Sequence, residues 1–314
     1  MLKFMRKIPG GLLIIPMLLS ALVNTIAPGF FGQFGGLTEA LFTTKGINYI
    51  VAMVCFCSAN LLDVRSIGKV LKKQGTILLV KVLLCLVFSY IFMQLFSLQG
   101  VAGVSAIAFV VAICSVNPSL YLALVSDYGE ELDKAAFGLT GLICVPAFPI
   151  FVFSITQGGG IDWTPILSTL IPITAGFMVG NLDKELAKMF SSLLVPLTPF
   201  MGVAFGAGIN IIDSLKAGPQ GILITILFYL LLFPIMFTVE TKLLKYDGIA
   251  TLGMSSIAGM SIAVPSILAF SNTDYLAIAP TATAQIAFGV LLTSAITPLI
   301  TQWYAKKNAI LKNI

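Results

Sequence analysis

A chain of 314 residues that is 58% hydrophobic and only 10% charged, with a mean hydropathy of +1.03, excludes a water-soluble globular protein, in which about 25% of residues are charged. The formal charge of +5 comes from Lys and Arg in short groups between apolar runs, a pattern of membrane topology and not of nucleic-acid binding. Histidine is absent, which removes imidazole metal sites, histidine proton relays and Ser-His chemistry, and the cysteines Cys55, Cys57, Cys85, Cys114 and Cys144 lie inside apolar runs and read as reduced packing residues. A hydrocarbon core of about 30 Å takes roughly 20 apolar residues per helix, so this length holds about ten spans and short loops. Apolar windows bounded by Gly, Pro and charge predict them at 8–27, 47–63, 75–96, 101–126, 136–156, 164–182, 190–212, 219–241, 249–271 and 279–304.

The first window follows Lys3, Arg6 and Lys7, a basic start shared with signal peptides. It is counted as a span because no soluble mature domain follows it. With the amino terminus inside and Lys81 counted at the inner end of its helix, 16 of the 18 Lys+Arg fall on the inner side, and only Lys45 and Lys216 lie outside. That asymmetry follows the positive-inside rule and predicts two cytoplasmic termini. Arg65, Lys69, Lys72 and Lys73 follow the second span, Lys242 and Lys245 the eighth, and Lys306, Lys307 and Lys312 the tenth.

The two halves, 1–156 and 164–304, repeat one another. Ile15-Pro16 matches Ile171-Pro172, Asn60-Leu61-Leu62-Asp63 matches Asn210-Ile211-Ile212-Asp213, and Ala136-Phe137-Gly138 matches Ala287-Phe288-Gly289. Pro118-Ser119-Leu120 matches Pro265-Ser266-Ile267, and Asp127-Tyr128 matches Asp274-Tyr275 at the same offset. Five spans per unit is an odd number, so the second unit enters the membrane upside down, the inverted repeat of secondary transporters. The tri-glycine Gly158-Gly159-Gly160 reads as the linker between the units, and no Lys-Ser/Thr follows it to make a phosphate loop.

Polar and helix-breaking residues interrupt the fourth and ninth spans near mid-membrane: Ser115, Asn117, Pro118 and Ser119 in one, Ser255, Ser256, Ser261, Pro265 and Ser266 in the other. Proline removes a backbone donor and clashes with the preceding turn, so such breaks persist at membrane depth only where protein, ion or substrate satisfies the freed groups. Two half-helix amino ends at the midplane suit an anionic substrate. The fold class is therefore an all-α integral membrane protein of ten spans, with helices 4 and 9 broken and crossing. Ser115, Asn117, Ser119, Ser255, Ser256, Ser261 and Ser266 are candidate substrate-binding residues.

The opening Ile8-Pro9-Gly10-Gly11 with Pro16 and Pro28-Gly29, the segment GKVLKKQGTILLVK from Gly68 to Lys81, Gly180-Asn181-Leu182-Asp183 with Glu185-Leu186, and the ending Ala279-Pro280 to Trp303 resemble the 2-keto-3-deoxygluconate permeases. The resemblance runs over essentially the whole chain. It implies a proton symporter of the cytoplasmic membrane that imports this sugar acid, on a fold similar to the bile acid sodium symporters. In that fold a core, here helices 3–5 and 8–10, moves against a panel of helices 1, 2, 6 and 7. In the family the fourth helix reads close to DMTNGGLY, whereas here Asn117, Leu120 and Tyr121 are kept and the carboxylate is not. A second family carboxylate, ahead of Pro146, is replaced by Ile143. These departures leave the coupling ion open between H+ and Na+.

Lys81 lies inside the third span, where a charge costs about 2.5 to 3.5 kcal/mol on insertion scales. Either it snorkels to the inner surface or it serves as a substrate counter-charge or coupling group. Asn60 and Asn210, on helices 2 and 7, serve interhelical packing or substrate contact. Thr140, Thr283 and Gln285 offer hard oxygens for Na+ or ordinary packing. The coupling set is Lys81, Asn117, Thr140 and Gln285. No cofactor beyond the coupling ion is expected, and the partners are a small anionic sugar acid and the lipid bilayer, with the protein a monomer or homodimer. An intramembrane enzyme is disfavoured, because all thirteen Asp and Glu fall in loops or near span ends, and a passive channel would lack ion-driven accumulation.

Overall fold

The computed structural model describes residues 1–5, 11–60, 64, 68, 71–130, 133, 140, 143–144, 146–157 and 163–312. The linker 158–160, the repeat segments 61–63 and 136–138, the basic residues Arg6, Lys7, Arg65 and Lys69 and the opening Ile8-Pro9-Gly10 lie outside these residues. Every element among the described residues is helical, and the β pairing among them is a single bridge between Val101 and Val104. Five stretches are long and apolar enough to cross a bilayer: Leu71–Phe96, Lys184–Ala204, Gly218–Leu243, Ile249–Phe270 and Ala279–Asn308.

After a one-turn helix at Leu2–Met5, the helices in chain order are α1 (Gly11–Ile26), α2 (Gly36–Phe42), α3 (Ile47–Ala59), α4 (Thr76–Phe96), α5 (Ala106–Ile113), α6 (Pro118–Tyr128), α7 (Ala147–Thr156) and α8 (Trp163–Leu182). They continue as α9 (Lys184–Ser191), α10 (Leu194–Gly206), α11 (Ile211–Lys216), α12 (Gly218–Thr238), α13 (Ile249–Met254), α14 (Val264–Ser271) and α15 (Ala279–Lys312). Between the first two predicted spans the chain builds a 3₁₀ turn, Phe30–Phe34, and α2, held by the rings of Phe30, Phe31, Phe34 and Phe42. The predicted span 190–212 resolves into α10 and its flanks, because Asp183 caps the amphipathic α9 by accepting from Glu185 N–H (2.8 Å) and Leu186 N–H (3.1 Å). The last helix runs past the predicted end at 304 to Lys312.

The long helices carry their apolar residues outward, the reverse of a soluble helix. On α4 the exposed side chains include Leu79, Leu83 and Val87, while Lys81, Cys85 and Ser89 are buried. On α12 Ile222, Ile226 and Leu230 are exposed, and Gly221, Thr225 and Phe228 are buried. A surface of that kind is stable only against lipid. By contrast every residue of α5 and of α13 is buried, which fits helices that are apolar all round.

The helices pack in two groups, which meet where α7 of the second lies against α8 of the first. In the first, α1 lies along α10 and α3 along α8. Glycine permits the approach: a Cβ at Gly206 would enter the Met17 carbonyl, one at Gly176 the Phe56 carbonyl, and one at Gly180 the Asn60 carbonyl. In the second, α4, α5, α7, α12, α13, α14 and α15 pack around one another, with α6 against α13 and α15.

Candidate transport site

Both interrupted spans break where the residue types require it. After α5 the chain is non-helical from Ser115 to Asn117, and Asn117 then caps α6, its Oδ1 accepting from Leu120 N–H (3.1 Å), with Pro118 in the first turn where the missing N–H costs nothing. After α13 the chain is non-helical from Ser255 to Ala258, turns through a 3₁₀ segment at Gly259–Ala263 and re-enters a helix with Pro265 in the first turn of α14.

The breaks are bonded to each other. Ser115 Oγ and Ser261 Oγ share a hydrogen bond of 2.7 Å, and Ala258 N–H donates to Ser115 Oγ. Helix α15 supplies what remains: Thr293 Oγ1 accepts from Ile257 N–H (3.0 Å), and Thr297 Oγ1 donates to the Ser255 carbonyl (2.6 Å) while bonding Tyr229 Oη of α12 at 2.7 Å. Ser255 Oγ donates to the Thr251 carbonyl, whereas Ser256 Oγ is fully buried with no partner. Ser266 is exposed and stands apart from this network. The side chain of Ser119 lies outside the described residues.

Lys81 is buried, 1% exposed, so it does not reach the surface and the snorkelling expectation is corrected. The α12 side closes over it, with Phe228 placing its ring centroid 5.1 Å from Nζ. On the same α4 face Cys85 donates its thiol to the Ile113 carbonyl (3.2 Å), at the end of α5 beside the break. Thr140 is fully buried. Asn60 donates to the Phe56 carbonyl (2.8 Å) and leaves its buried Oδ1 without a partner.

A cavity of about 380 Å³ opens at one end of the molecule, within the size range of ligand pockets. Its lining includes Gly103, Asn210, Lys216, Gln220, Thr283 and Gln285. Three of the sequence candidates, Asn210, Thr283 and Gln285, therefore meet here, although 75 residues separate Asn210 from Gln285 in the chain. Gln285 donates to the Gly103 carbonyl (2.7 Å), and Gly103, beside the Gln220 amide, holds a positive φ in which any other side chain would be strained. From Gln285 to Thr293 is two turns of α15, about 12 Å at 1.5 Å per residue, so the cavity floor lies that far from the bonded breaks.

The opposite end holds a cluster that sequence reasoning missed. Lys73 and Asp133 form an ion pair of 2.7 Å with both side chains fully buried, and Gln74 donates to the same carboxylate. Tyr121 Oη donates to the Asp133 carbonyl (2.7 Å), and the Lys73 ammonium sits 4.3 Å from the Tyr246 ring centroid. Beside it Glu240, fully buried, accepts from Thr251 N–H (2.7 Å) and Ala250 N–H (3.3 Å) at the start of α13. Burial raises the carboxyl of neighbouring Asp247 above its ordinary value, while the Ile249 N–H and the Lys73 ammonium pull the other way.

Among known proteins, the family model described as 2-keto-3-deoxygluconate permease matches residues 2–310. The 2-keto-3-deoxygluconate permease of Bacillus subtilis is 34% identical over 307 residues, covering 96% of this chain and 92% of that protein. Its counterpart in Tolumonas auensis is also 34% identical, over 96% of this chain and 91% of the relative. The 2-keto-3-deoxygluconate permease 1 of Salmonella typhimurium is 31% identical, over 98% and 96%.

Proposed function

The chain belongs to the 2-keto-3-deoxygluconate permease family, and from that membership we propose that it imports 2-keto-3-deoxygluconate or a similar sugar acid across the cytoplasmic membrane by cation symport. The family is one of permeases, not enzymes. Whole-length matching to relatives named for this substrate is the observation that carries the reading.

The proposed architecture is ten spans in two inverted five-helix repeats, 1–156 and 164–304. Helices α1, α3, α8 and α10 form the panel, and the remaining spans form the core. Three observations support it. Helices α1, α3, α8 and α10 pack on one another as one group, both interrupted spans restart with proline in the first turn, and the breaks bond one another through Ser115 and Ser261. With both termini cytoplasmic, as the Lys and Arg distribution favours, the cavity faces outside.

The bonded breaks tie the two half-helix pairs into one unit, so that core rotation against the panel would move them together. Ser115, Asn117, Ser255, Ser256 and Ser261 surround that junction, and Lys81 beside it is the proposed proton-carrying group. The orphaned Ser256 Oγ favours a second coupling mode, in which it joins Asn117, Thr140 and freed carbonyls as oxygen donors to Na+. Uptake of labelled 2-keto-3-deoxygluconate into proteoliposomes under separate proton and sodium gradients tests both. Accumulation driven by one gradient identifies the ion, and no saturable uptake under either refutes symport of this substrate.

A further inference from the structure

Four lysines stand exposed around the end where α12 leaves the bilayer: Lys242 and Lys245 just beyond that helix, and Lys306 and Lys307 on the far part of α15. A shared ring contact brings the two pairs to one place. Phe237 of α12 and Tyr304 of α15 pack edge to face with centroids 5.3 Å apart, and Gly248 lies so close to Phe237 that a Cβ there would strike the ring. Lys245 itself holds a φ of 59°, uncommon for a residue with a side chain, at the point where Tyr246 N–H donates to the Glu240 carbonyl (3.0 Å).

Among the described residues none of the four pairs with a carboxylate; the ion pairs are those of Lys45 with Glu39 and of Lys73 with Asp133 and Glu130. The carboxylates next in sequence, Glu240 and Asp247, accept from backbone N–H groups at the start of α13 instead. The helix dipole does not account for the second pair either, because α15 runs on to Lys312 and the dipole acts within the last turn. Four ammoniums on one face therefore present an unneutralised positive potential.

The surface that leads up to them selects the anion. Leu230 and Ile235 on α12 and Leu299, Ile300 and Trp303 on α15 are exposed, so the patch sits where the lipid-facing surface meets water. At 1.5 Å per residue α15 is about 51 Å long against a hydrocarbon core of about 30 Å, which carries its far end to the depth of the lipid phosphates or beyond. The Trp303 ring centroid lies 5.2 Å from Lys307 Nζ, with the indole at the level that tryptophan favours in membranes.

We infer that this patch is a docking site for an anionic phospholipid, whose phosphate is held by the two lysine pairs and whose acyl chains run along the apolar faces of α12 and α15. A soluble polyanion would meet the charges and leave the apolar approach unused. A zwitterionic phospholipid carries a cation of its own, which the four ammoniums repel. The site needs the membrane setting alone and is independent of the solute that the protein carries.

Trp303 serves as the reporter. The chain has two tryptophans, so Trp163→Phe leaves Trp303 as the sole indole. The full-length variant is reconstituted into phosphatidylcholine vesicles with rising mole fractions of bromine-labelled phosphatidylglycerol or, in parallel, of bromine-labelled phosphatidylcholine. Half-quenching by the anionic lipid is expected at a mole fraction at least about fivefold lower, the worth of one lysine at an anionic surface. Lys242→Gln with Lys245→Gln, and separately Lys306→Gln with Lys307→Gln, should each move that midpoint toward the phosphatidylcholine value, while the corresponding arginine pairs keep it. A second measurement needs no tryptophan variant: phosphatidylglycerol should raise the unfolding midpoint of the detergent-purified wild type more than phosphatidylcholine does, and the glutamine pairs should lose that difference. Equal quenching by the two brominated lipids, or anionic-lipid quenching and stabilisation that persist in both glutamine pairs, overturns the assignment. So does glycerophosphoglycerol, the water-soluble head group, if it stabilises the protein as well as the lipid does, because the acyl chains would then contribute nothing.

Discussion

A lysine and an aspartate that both lose all contact with solvent are stable only in each other's company. Lys73 and Asp133 meet at 2.7 Å with Gln74 on the same carboxylate, so Asp133→Asn would take away the ammonium's buried partner and leave it the half-exposed Glu130 at 3.5 Å and the more distant charge of Asp247. We expect a loss of about 3 to 5 kcal/mol, read by thermal or denaturant unfolding of the detergent-purified protein, and largely recovered in the double variant Lys73→Met with Asp133→Leu. A single variant that unfolds like the wild type would mean that the pair is not buried. The embedded Lys81 carries a different prediction: Lys81→Met should abolish accumulation driven by an imposed pH gradient at constant sodium, and undiminished accumulation would exclude it as the coupling group. The two lysines also mark how far single residues could be read. The position of Lys81 inside an apolar run was legible, but the side chain's direction was not, because it is set by Phe228 from a helix about 150 residues away. Lys73 and Asp133 read as solvated loop charges, since nothing in local sequence announces that Tyr246 covers the one and Tyr121 bonds the backbone of the other.

At the scale of elements, proline and serine made both interruptions legible, and the first-turn prolines at 118 and 265 confirm the positions at which the helices restart. The pairing of donors with acceptors was not legible. Asn117, a substrate candidate by sequence, commits its Oδ1 to capping α6, and the threonines that satisfy the second break, Thr293 and Thr297, come from α15 and were not among the sequence candidates. The two partner serines are predicted to be unequal. Ser115 Oγ accepts a backbone N–H and also shares a hydrogen bond with the Ser261 hydroxyl, so Ser115→Ala leaves the buried Ala258 N–H without an acceptor and should cost about 1 to 3 kcal/mol. Ser261→Ala removes one hydroxyl from a partner that keeps its other bond, and should cost less. Unfolding of the two variants side by side decides it, and equal or reversed losses would show that the breaks are not joined through Ser115.

The molecule as a whole is asymmetric across its long axis. The cavity opens at the end where α12 and α15 begin, and the buried charges of Lys73, Asp133 and Glu240 close the end where α12 finishes and α13 starts. Hydropathy and the positive-inside bias made the membrane class and its expected orientation legible, because both depend on composition summed over many residues. The cavity was only partly legible, since its lining is assembled from the α4–α5 loop, α11, α12 and α15, and sequence separation hides such a meeting. If the cavity faces outside, a cysteine at exposed Thr281 on its rim should react with a membrane-impermeant thiol reagent in intact cells. The native thiols add little background, because Cys55, Cys57, Cys85, Cys114 and Cys144 are all buried. Excess sugar acid should slow the labelling, and a cysteine at Lys245, beyond the opposite end of α12, should react only after permeabilisation. Reaction at Lys245→Cys in intact cells, with Thr281→Cys silent until permeabilisation, would invert the orientation, and the same cavity would then receive its ligand from the cytoplasm and serve release instead of capture.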